Sequence, residues 1–315
     1  MPHSSSTPAI EKLTDIIKES AHTLGFEKVG IAPATPLDSE ADRLDEWLHH
    51  GRHATMSWMA VRSDERKNIL NYFPEAKSVI CVGMNYFHGN ADGEMKISNY
   101  AWGDDYHVLL KERLYQLLES VKERLPDVTG VACVDTSPVM EKVWAQRAGL
   151  GWIGKHTNLI SRDYGSWLFL GELILDCELD YDDRFEEDLC GSCTACLDAC
   201  PTDAIVEDYL VDSRRCISYL TIEHRGDLPD EFAGQLGEWI YGCDICQEVC
   251  PWNQKFSQKS QEPLFAPTSE IVERNPEEWS RLTEEEYRRI FRNSPVKRAK
   301  FTGLKRNIQS VLSNS

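Results

Sequence analysis

Eight of the eleven cysteines lie between residues 190 and 250, and their spacing constrains the fold more than any other feature of the chain. The first motif has the spacing of bacterial ferredoxins, in which three cysteines hold one [4Fe–4S] cluster and the fourth binds the other. The second motif lacks the leading cysteine of a full run. The motifs are Cys190-x2-Cys193-x2-Cys196-x3-Cys200-Pro201 and Cys243-x2-Cys246-x3-Cys250-Pro251. This spacing predicts two [4Fe–4S] clusters.

The crossing rule of two-cluster ferredoxins assigns these cysteines to clusters. Because the second motif is one cysteine short, its cluster needs a ligand from elsewhere in the region. Cys216 is the only cysteine there that neither motif contains. We therefore predict two ligand sets. The first set is Cys190, Cys193, Cys196 and Cys250, and the second set is Cys200, Cys216, Cys243 and Cys246.

Zinc and disulfide bonds are the alternative uses for so many cysteines. Structural zinc takes four ligands as two separated pairs, whereas the first motif places three cysteines within seven residues. Disulfides belong to oxidising compartments, but the N-terminal sequence shows no apolar signal region and no twin arginine. No run of about 18 apolar residues is present. We expect a cytoplasmic protein that does not span a membrane.

The chain before the cysteines is much longer than a bare ferredoxin requires and has its own pattern of elements. Helices are predicted at 7–25, 37–50, 105–125 and 138–148, and strands at 28–32, 78–84, 130–134 and 167–175. Ser6 or Thr7 is expected to cap the first helix. The pattern predicts an α+β fold in three parts: a layered catalytic domain at 1–180, a two-cluster ferredoxin-like domain at 181–256 and a short helical C-terminal segment at 257–315.

The charge of the chain is strongly negative but unevenly distributed. The formal net charge of -18 argues mildly against nucleic acid as a partner. Residues 176–188 hold eight acidic residues and one arginine, and we expect a solvated linker there. Residues 288–306 hold eight basic residues and no acidic one, and such a run could contact phosphates.

Three short segments of the first part carry candidate functional residues. Residues 149–154 fit G-x-G-x-x-G but follow a helix rather than a strand, which argues against NAD(P) binding. Their glycines are expected to let the backbone approach a flat ligand. Asp135 ends a predicted strand, where it could face a ligand or cap a turn. Lys155 and His156 could be a surface pair, and His107 could be a ligand or pack in a helix.

Several further segments resemble those of one family, the epoxyqueuosine reductases, which are cobalamin- and iron–sulfur-dependent enzymes of tRNA modification. The resemblance covers nearly the whole chain. It rests on the split cysteine set and on Tyr100–His107, Asp135–Val139, Ala145–Lys155, Leu220–Gly226 and Gly242–Asn253. It implies reduction of epoxyqueuosine to queuosine at the wobble position of a tRNA anticodon, the last step of queuosine biosynthesis.

The resemblance also implies how the site is built. It implies a cobalamin held beside the clusters in a nitroreductase-like first domain, and a proton donor at Asp135. A buried aspartate with a raised pKa could protonate the departing epoxide oxygen near neutral pH. The implied cobalamin contacts are Ser57, Ser98, Tyr100, Asp135, Lys155, His156, Asn158 and Gly242. The implied tRNA contacts are His224, Arg225, Lys297, Arg298 and Lys300.

Two departures from the family pattern stand out. His156 lies where many members have asparagine, and the chain ends soon after the basic run, where longer members continue into helical repeats. The segment Asp105-Tyr106-His107 lacks the glycine that would complete the Asp-x-His-x-x-Gly cobalamin motif. We therefore expect no histidine ligand to cobalt from that segment.

The implied partners are tRNA carrying epoxyqueuosine and an external low-potential electron donor, and we expect a monomer. Three other functions fit the cysteines: a corrinoid reductase of another class such as a reductive dehalogenase, an electron carrier, and a tRNA-binding protein with structural clusters. Reductive dehalogenases usually carry an export signal, and a carrier does not need so large a first domain. Corrinoid content and turnover of epoxyqueuosine-containing tRNA distinguish these functions.

Overall fold

The computed structural model describes residues 8–232 and 234–313, and its part up to residue 175 contains both helices and strands. The helices are α1 Pro8–Thr23, α2 Ser39–His49, α3 Trp58–Val61, α4 Ser63–Lys67, α5 Ile69–Tyr72, α6 Tyr106–Lys122, α7 Glu141–Arg147, α8 Ala195–Asp198, α9 Ile217–Ile222, α10 Ile245–Glu248, α11 Pro251–Phe256, α12 Ser269–Val272, α13 Pro276–Ser280, α14 Glu284–Ile290 and α15 Lys300–Leu312. The strands are β1 Lys28–Pro33, β2 Ser78–Asn85, β3 Lys96–Ile97, β4 Gly130–Cys133, β5 Trp152–Ile153, β6 Leu159–Ile160, β7 Leu168–Leu175, β8 Ile205–Glu207, β9 Leu210–Val211 and β10 Trp239–Tyr241. Short 3-10 helices lie at Asn99–Ala101, Pro263–Phe265 and Pro295–Ala299.

The predicted elements of the first part are confirmed, with two boundaries wrong by three residues, one of which is the end of the helix predicted at 105–125, since α6 ends at Lys122. The helix predicted from residue 138 begins only at Glu141. The chain leaves β4 through Asp135, whose φ of 50° lies in the left-handed region, and the turn that follows delays the helix. The predicted caps Ser6 and Thr7 lie outside the described residues.

The main sheet has four strands in the order β1-β2-β7-β4, and every neighbouring pair is antiparallel. Helices cover both faces of this sheet. α1 and α6 bury apolar side chains on one face, where Leu110, Leu114 and Leu117 of α6 are fully buried. α7 covers the other face with Val143 and Trp144. The layered mixture of helices and sheet is therefore confirmed.

A second core joins the cluster region to the rest of the chain. β10 pairs in parallel with β3, and α15 packs on β10 through Leu304 and Ile308, which are fully buried. This core contains side chains from all three predicted domain ranges. The three ranges thus pack as one body, and the domain division stays a prediction.

The acidic stretch 176–188 contains no helix or strand, but it is fixed to the sheet. The Asp182 carboxylate accepts a hydrogen bond from the Ile31 main-chain N at 2.8 Å and pairs with Lys18 at 2.6 Å. β1 is an edge strand, and a carboxylate on its free N–H groups protects that edge. The expectation of a solvated stretch therefore holds for most of its acidic side chains, which are exposed, whereas Asp182 anchors the stretch to the sheet. No helix in the described part of the chain is long and apolar enough to cross a membrane.

Candidate active site

The seven cysteines of the two motifs and Cys216 lie close to one another in the fold. Burial raises the pKa of Cys196 to about 11, and the nearby Cys190, Cys250 and Cys193 add to the effect. Burial likewise raises the pKa of Cys246, which lies near Cys216, Cys196 and Cys200. The neighbours of Cys196 all belong to its predicted set, whereas Cys246 lies near Cys216 and Cys200 of its own set and also near Cys196 of the other set. The assignment of each ligand set to a cluster stays a prediction.

The thiols suit iron–sulfur clusters better than a single metal ion. Within the described residues, no three histidine, cysteine or acidic side chains converge closely enough to hold one ion. A zinc ion would need its ligands in one tight tetrahedral shell, whereas a four-iron cube holds its cysteines farther apart. All eleven cysteines are free thiols. This donor set fits two clusters.

The pair Cys250-Pro251 has an effect that the sequence analysis did not predict. Cys250 has ψ of 121°, the extended conformation that a following proline imposes. Pro251 then occupies the first turn of α11, where a residue without an N–H is well tolerated. Pro251 therefore ends the ligand turn and also begins the next helix.

A cavity of about 570 Å³ lies between the main sheet and the cysteines. Leu168, Phe169 and Leu170 of β7 form one wall. The opposite wall carries all four thiols of the second ligand set, while none of the first set lines the cavity. The second set is therefore the one next to the cavity, and the first set lies behind it.

Five of the predicted cobalamin contacts line this cavity, and three do not. The five are Ser98, Tyr100, Asp135, His156 and Asn158. Ser57 is exposed next to Met56, which does line the cavity. Lys155 is buried and pairs with Asp208 at 3.0 Å. Gly242 lies against the Ser98 side chain.

The cavity has features that suit a bulky, partly polar ligand. Gly242 has φ of 70°, and a Cβ there would collide with the Ser98 side chain. The Asp244 carboxylate in turn accepts hydrogen bonds from the Ser98 hydroxyl and from the Asn99 N at 2.7 Å. His156 is 4% exposed, and its Nε2 has no partner in the described structure. Such an orphaned buried group indicates a missing ligand.

The surface-pair interpretation of Lys155 and His156 is wrong, because both side chains are buried. Burial and the nearby charge of Lys142 lower the pKa of His156 to about 4, so its ring is neutral. The expectation for the glycine segment is also corrected. A Cβ on Gly151 would collide with the Ile160 carbonyl of β6, so this close approach is to protein and not to a flat ligand.

Asp135 lies in the loop after β4 and is held by residues from α6. Leucines of α6 pack on the sheet and thereby bring the N-terminus of that helix beside this loop. The Asp135 carboxylate accepts hydrogen bonds from His107 Nε2 at 3.1 Å and from the Tyr106 hydroxyl at 3.2 Å. Tyr106 is itself stacked on Phe169 at 4.1 Å. The carboxylate caps no helix, and its hydrogen bonds go to α6 and not to its own turn.

The pKa of Asp135, which is paired with His107, is shifted in the direction opposite to the expected one. Desolvation by the surrounding protein acts to raise that pKa, although part of the carboxylate still reaches solvent. The hydrogen bonds from His107 and Tyr106 and the charge of His107 outweigh this desolvation and lower the pKa. Burial would lower the pKa of His107, yet its bonds to Asp105 and Asp135 raise it to about 9. At neutral pH the structure therefore holds an imidazolium–carboxylate pair.

A chain of alternating charges continues from this pair to the surface. Asp105 contacts His107 Nδ1 at 2.7 Å and Lys297 Nζ at 2.8 Å. Burial acts to raise the pKa of Asp105, but these two partners outweigh it and lower the pKa to about 2. Lys297 is thus one end of a chain that leads to Asp135.

Sequence reasoning missed His107 as a partner of Asp135, and it missed Glu141. The Glu141 carboxylate accepts a hydrogen bond from the main-chain N of Asp135 and lines the same cavity. Burial and the charge of Asp135 raise the pKa of Glu141 to about 8. The sequence offered one signal, the polar triplet Asp105-Tyr106-His107 at the start of a predicted helix. The fold brings this triplet close to the end of a predicted strand, although the two are far apart in the sequence.

Most predicted tRNA contacts are already engaged within the protein. Arg225 donates to the Ile222 and Arg298 carbonyls, each at 2.8 Å, and His224 Nε2 lies 2.7 Å from the Asp227 carbonyl. Arg298 pairs with Glu223 at 2.9 Å and lies 5.0 Å over the ring of Trp58. Lys300 is exposed and has no ion pair in the described structure.

Comparisons with known proteins agree with the geometry. A family model described as a 4Fe-4S double cluster binding domain matches residues 189–253, and one described as epoxyqueuosine reductase QueG, DUF1730, matches residues 66–136. The chain is 46% identical to an epoxyqueuosine reductase of Cellulophaga algicola, over 95% of this chain and 97% of the relative. It is 46% identical to one of Synechocystis sp., over 90% and 100%.

Solved structures show the same similarity. One is an epoxyqueuosine reductase with a tRNA-Tyr epoxyqueuosine-modified stem loop, at a TM-score of 0.86 and 30% identity, over 96% of this chain and 81% of that one. Another is from Bacillus subtilis, with an aspartate-bearing catalytic loop swung out of its active site. Its TM-score is also 0.86, at 29% identity over 96% and 82% of the two chains.

Proposed function

The chain belongs to the epoxyqueuosine reductase family, and from that premise we propose that Asp135 and His107 carry the acid chemistry of its reaction. The protein is an oxidoreductase that reduces epoxyqueuosine in tRNA to queuosine. The observation that carries this function is the identity of 46% along almost the full length of both chains. Its cofactors are two [4Fe–4S] clusters and a cobalamin.

We propose that the second cysteine set and the cavity form one electron-transfer site. The four thiols on the cavity wall hold one cluster beside the cavity, and the first set holds the other cluster behind it. Ser98, Tyr100, His156 and Asn158 hold the cobalamin in the cavity. When bound, these cofactors supply two electrons, one at a time, to the carbon–oxygen bond.

The protein's own contribution is the proton. The Asp135 carboxylate is 59% exposed and rests beside an imidazolium. A substrate that covers Asp135 removes water from the carboxylate and so raises its pKa. The proton then moves along the 3.1 Å hydrogen bond from His107 to Asp135, which donates it to the departing oxygen. The hydrogen bond from Tyr106 keeps the carboxyl group of Asp135 oriented during this transfer.

The loop position of Asp135 supports this role. Its φ of 50° is tolerated by aspartate and asparagine better than by most residues. In the Bacillus subtilis relative, an aspartate-bearing catalytic loop has been described swung out of the active site. We infer that the loop after β4 moves in the same way and closes on the substrate.

The finer architecture belongs to the same proposal. The three layers around the four-stranded sheet suit a nitroreductase-like domain, followed by a ferredoxin-like domain and a helical C-terminal segment, with boundaries at residues 180 and 256. A cytoplasmic location, an external low-potential electron donor and a monomeric state remain predictions. Gel filtration with light scattering would measure the last of these.

We propose that only part of the basic run contacts tRNA. Arg288 and Arg289 pair with Glu284 and Glu270, and Arg306 donates to the Leu220 carbonyl at 2.7 Å. Charges that are paired or bonded in this way contribute less to phosphate binding. Lys300 is the predicted contact that remains available.

The Lys300→Gln variant should therefore raise the KM for tRNA and leave kcat nearly unchanged. Loss of one phosphate contact should reduce the slope of log affinity against log salt by about 0.7. Arg289→Gln is the matched control, because its guanidinium is already bound by Glu270 at 2.8 Å. Equal salt slopes for the two variants would show that Lys300 does not reach a phosphate.

The function itself is tested with protein purified and reconstituted without oxygen. Loaded protein should convert a stem-loop RNA carrying epoxyqueuosine to the queuosine form in the presence of a low-potential reductant. Mass spectrometry of the digested RNA measures the loss of one oxygen. A loaded protein with full cluster and corrinoid content that leaves the epoxide intact would refute the function.

A further inference from the structure

The reaction needs two protons, and the Asp135–His107 pair accounts for one of them. An epoxide, two electrons and two protons give an alkene and water. The first carbon–oxygen bond to break leaves an alkoxide, which takes a proton and becomes a hydroxyl group. When the second bond breaks, the hydroxyl needs another proton to leave as water, while the electron pair on the neighbouring carbon forms the double bond.

We propose that Glu141 is a second catalytic acid, which donates the proton with which the oxygen leaves as water. The inference rests on the proposed function, because it requires the epoxide substrate. The two electrons come from the low-potential donor through the cofactors. Asp135 and Glu141 then act in sequence on one oxygen atom.

The position of Glu141 supports this role. It is the first residue of α7, and its carboxyl group accepts a hydrogen bond from the main-chain N–H of Asp135, so Glu141 is tied directly to the loop that carries Asp135. Both residues line the 570 Å³ cavity and also an adjoining cavity of about 780 Å³. A group that reaches both spaces can meet a substrate bound beside Asp135.

The groups around Glu141 keep it protonated. Behind it, Glu172 of β7 is fully buried in register with Cys81 and Cys133, and neither of its oxygens has a partner in the described structure. An unpaired buried carboxylate is costly, and burial raises the pKa of Glu172 well above its usual value. Burial therefore favours the uncharged form of Glu172, and in neither form does this carboxyl group offer a positive charge that would ionise Glu141.

Charged groups on several elements face Glu141. Arg66 of α4 and His107 of α6 favour its ionised form, as does Lys142 on its own helix, while Asp135 opposes it. Burial is the largest effect and the charge of Asp135 follows, so the pKa of Glu141 rises to about 8. At neutral pH Glu141 therefore holds a proton next to an ionised Asp135.

A structural role is the competing explanation, because Glu141 also holds the loop through its bond to the Asp135 N–H. Glu141→Gln separates the two roles, since the amide oxygen still accepts this bond but the amide cannot act as the acid. We expect kcat on epoxyqueuosine stem-loop RNA to fall about a hundredfold, the lower end for loss of a general acid. The cluster content, the corrinoid content and the KM should remain at their wild-type values.

The pH profile gives a readout that a structural role would not change. Wild-type kcat should fall as the pH rises through about 8, where Glu141 loses its proton. This fall in kcat is the alkaline limb of the pH profile. In Glu141→Gln the alkaline limb should move to about pH 9, where His107 loses its proton. Glu172→Gln is the matched control, because it replaces one neutral group by another, and its limb should stay at about pH 8.

A titration without substrate separates this proposal from the proposed function. Infrared difference spectra of loaded wild type minus Glu141→Gln should show a protonated carboxyl band that disappears as the pH rises through about 8. If wild type fails to reduce the epoxide but shows this band, the proposed function is wrong and the protonated Glu141 stands. If Glu141→Gln keeps the wild-type kcat and alkaline limb, Glu141 is not the second acid.

Discussion

Replacement of Cys216 by serine is expected to remove about half of the iron and to abolish turnover. Two four-iron clusters give about eight iron atoms in the wild type, so about four should remain. Cys216 belongs to the set that lines the cavity. Loss of that cluster separates the remaining cluster from the substrate. Because electrons must pass through the cluster beside the cavity, no activity should survive. Iron analysis and electron paramagnetic resonance of oxygen-free protein measure the result.

The matched variant Cys250→Ser tests the crossed assignment. Cys250 lies near Cys190 and Cys193 in the structure, although in sequence it ends the second motif. The variant should therefore lose the cluster of the first set and keep the one beside the cavity. If Cys250→Ser and Cys216→Ser lost the same cluster signal, the crossed assignment would be wrong.

The helices and strands of the first part could be predicted because their signals are local. Leu110, Leu114 and Leu117 recur at helical spacing in the sequence, and in the structure all three are fully buried side chains of α6. The start of α7 could not be placed in this way. It depends on the left-handed conformation of Asp135 and on the turn that follows, and neither leaves a periodic pattern.

The active site could be predicted only in part, because its key contacts join distant segments. Asp135 was identified from its place at a strand end and from the family resemblance. Its partner His107 lies 28 residues earlier, and only the packing of α6 on the sheet brings them to 3.1 Å. The sequence therefore indicated a carboxyl group with a raised pKa, while the structure contains a carboxylate paired with an imidazolium.

Charge could be counted from the sequence, but charge pairing could not. The basic run 288–306 suggested a tRNA surface, yet Arg298 pairs with Glu223 and Lys297 with Asp105, both far away in sequence. These partners lie on elements that only the shared second core brings together. The same argument applies to Asp182, which binds the edge strand instead of remaining in solvent.

The Asp135→Asn variant should lower kcat about a hundred- to ten-thousandfold, the range for loss of general acid catalysis. Asparagine adopts the left-handed conformation about as readily as aspartate, so the loop after β4 should keep its shape. The amide can still meet His107 and Tyr106, but it has no proton to pass to the oxygen. Corrinoid content, iron content and tRNA binding should therefore stay normal.

The pH dependence of the residual activity should change in a defined direction. The Asp135 charge raises the pKa of both Glu141 and His107, so in Asp135→Asn both groups should lose their protons at lower pH. The alkaline limb of the residual kcat should therefore lie below the wild-type value of about 8. His107→Gln is the companion variant, because it removes the proton source and keeps the carboxyl group. If loaded Asp135→Asn reduced the epoxide at the wild-type rate, another group would have to protonate the departing oxygen, and the assignment of Asp135 would fail.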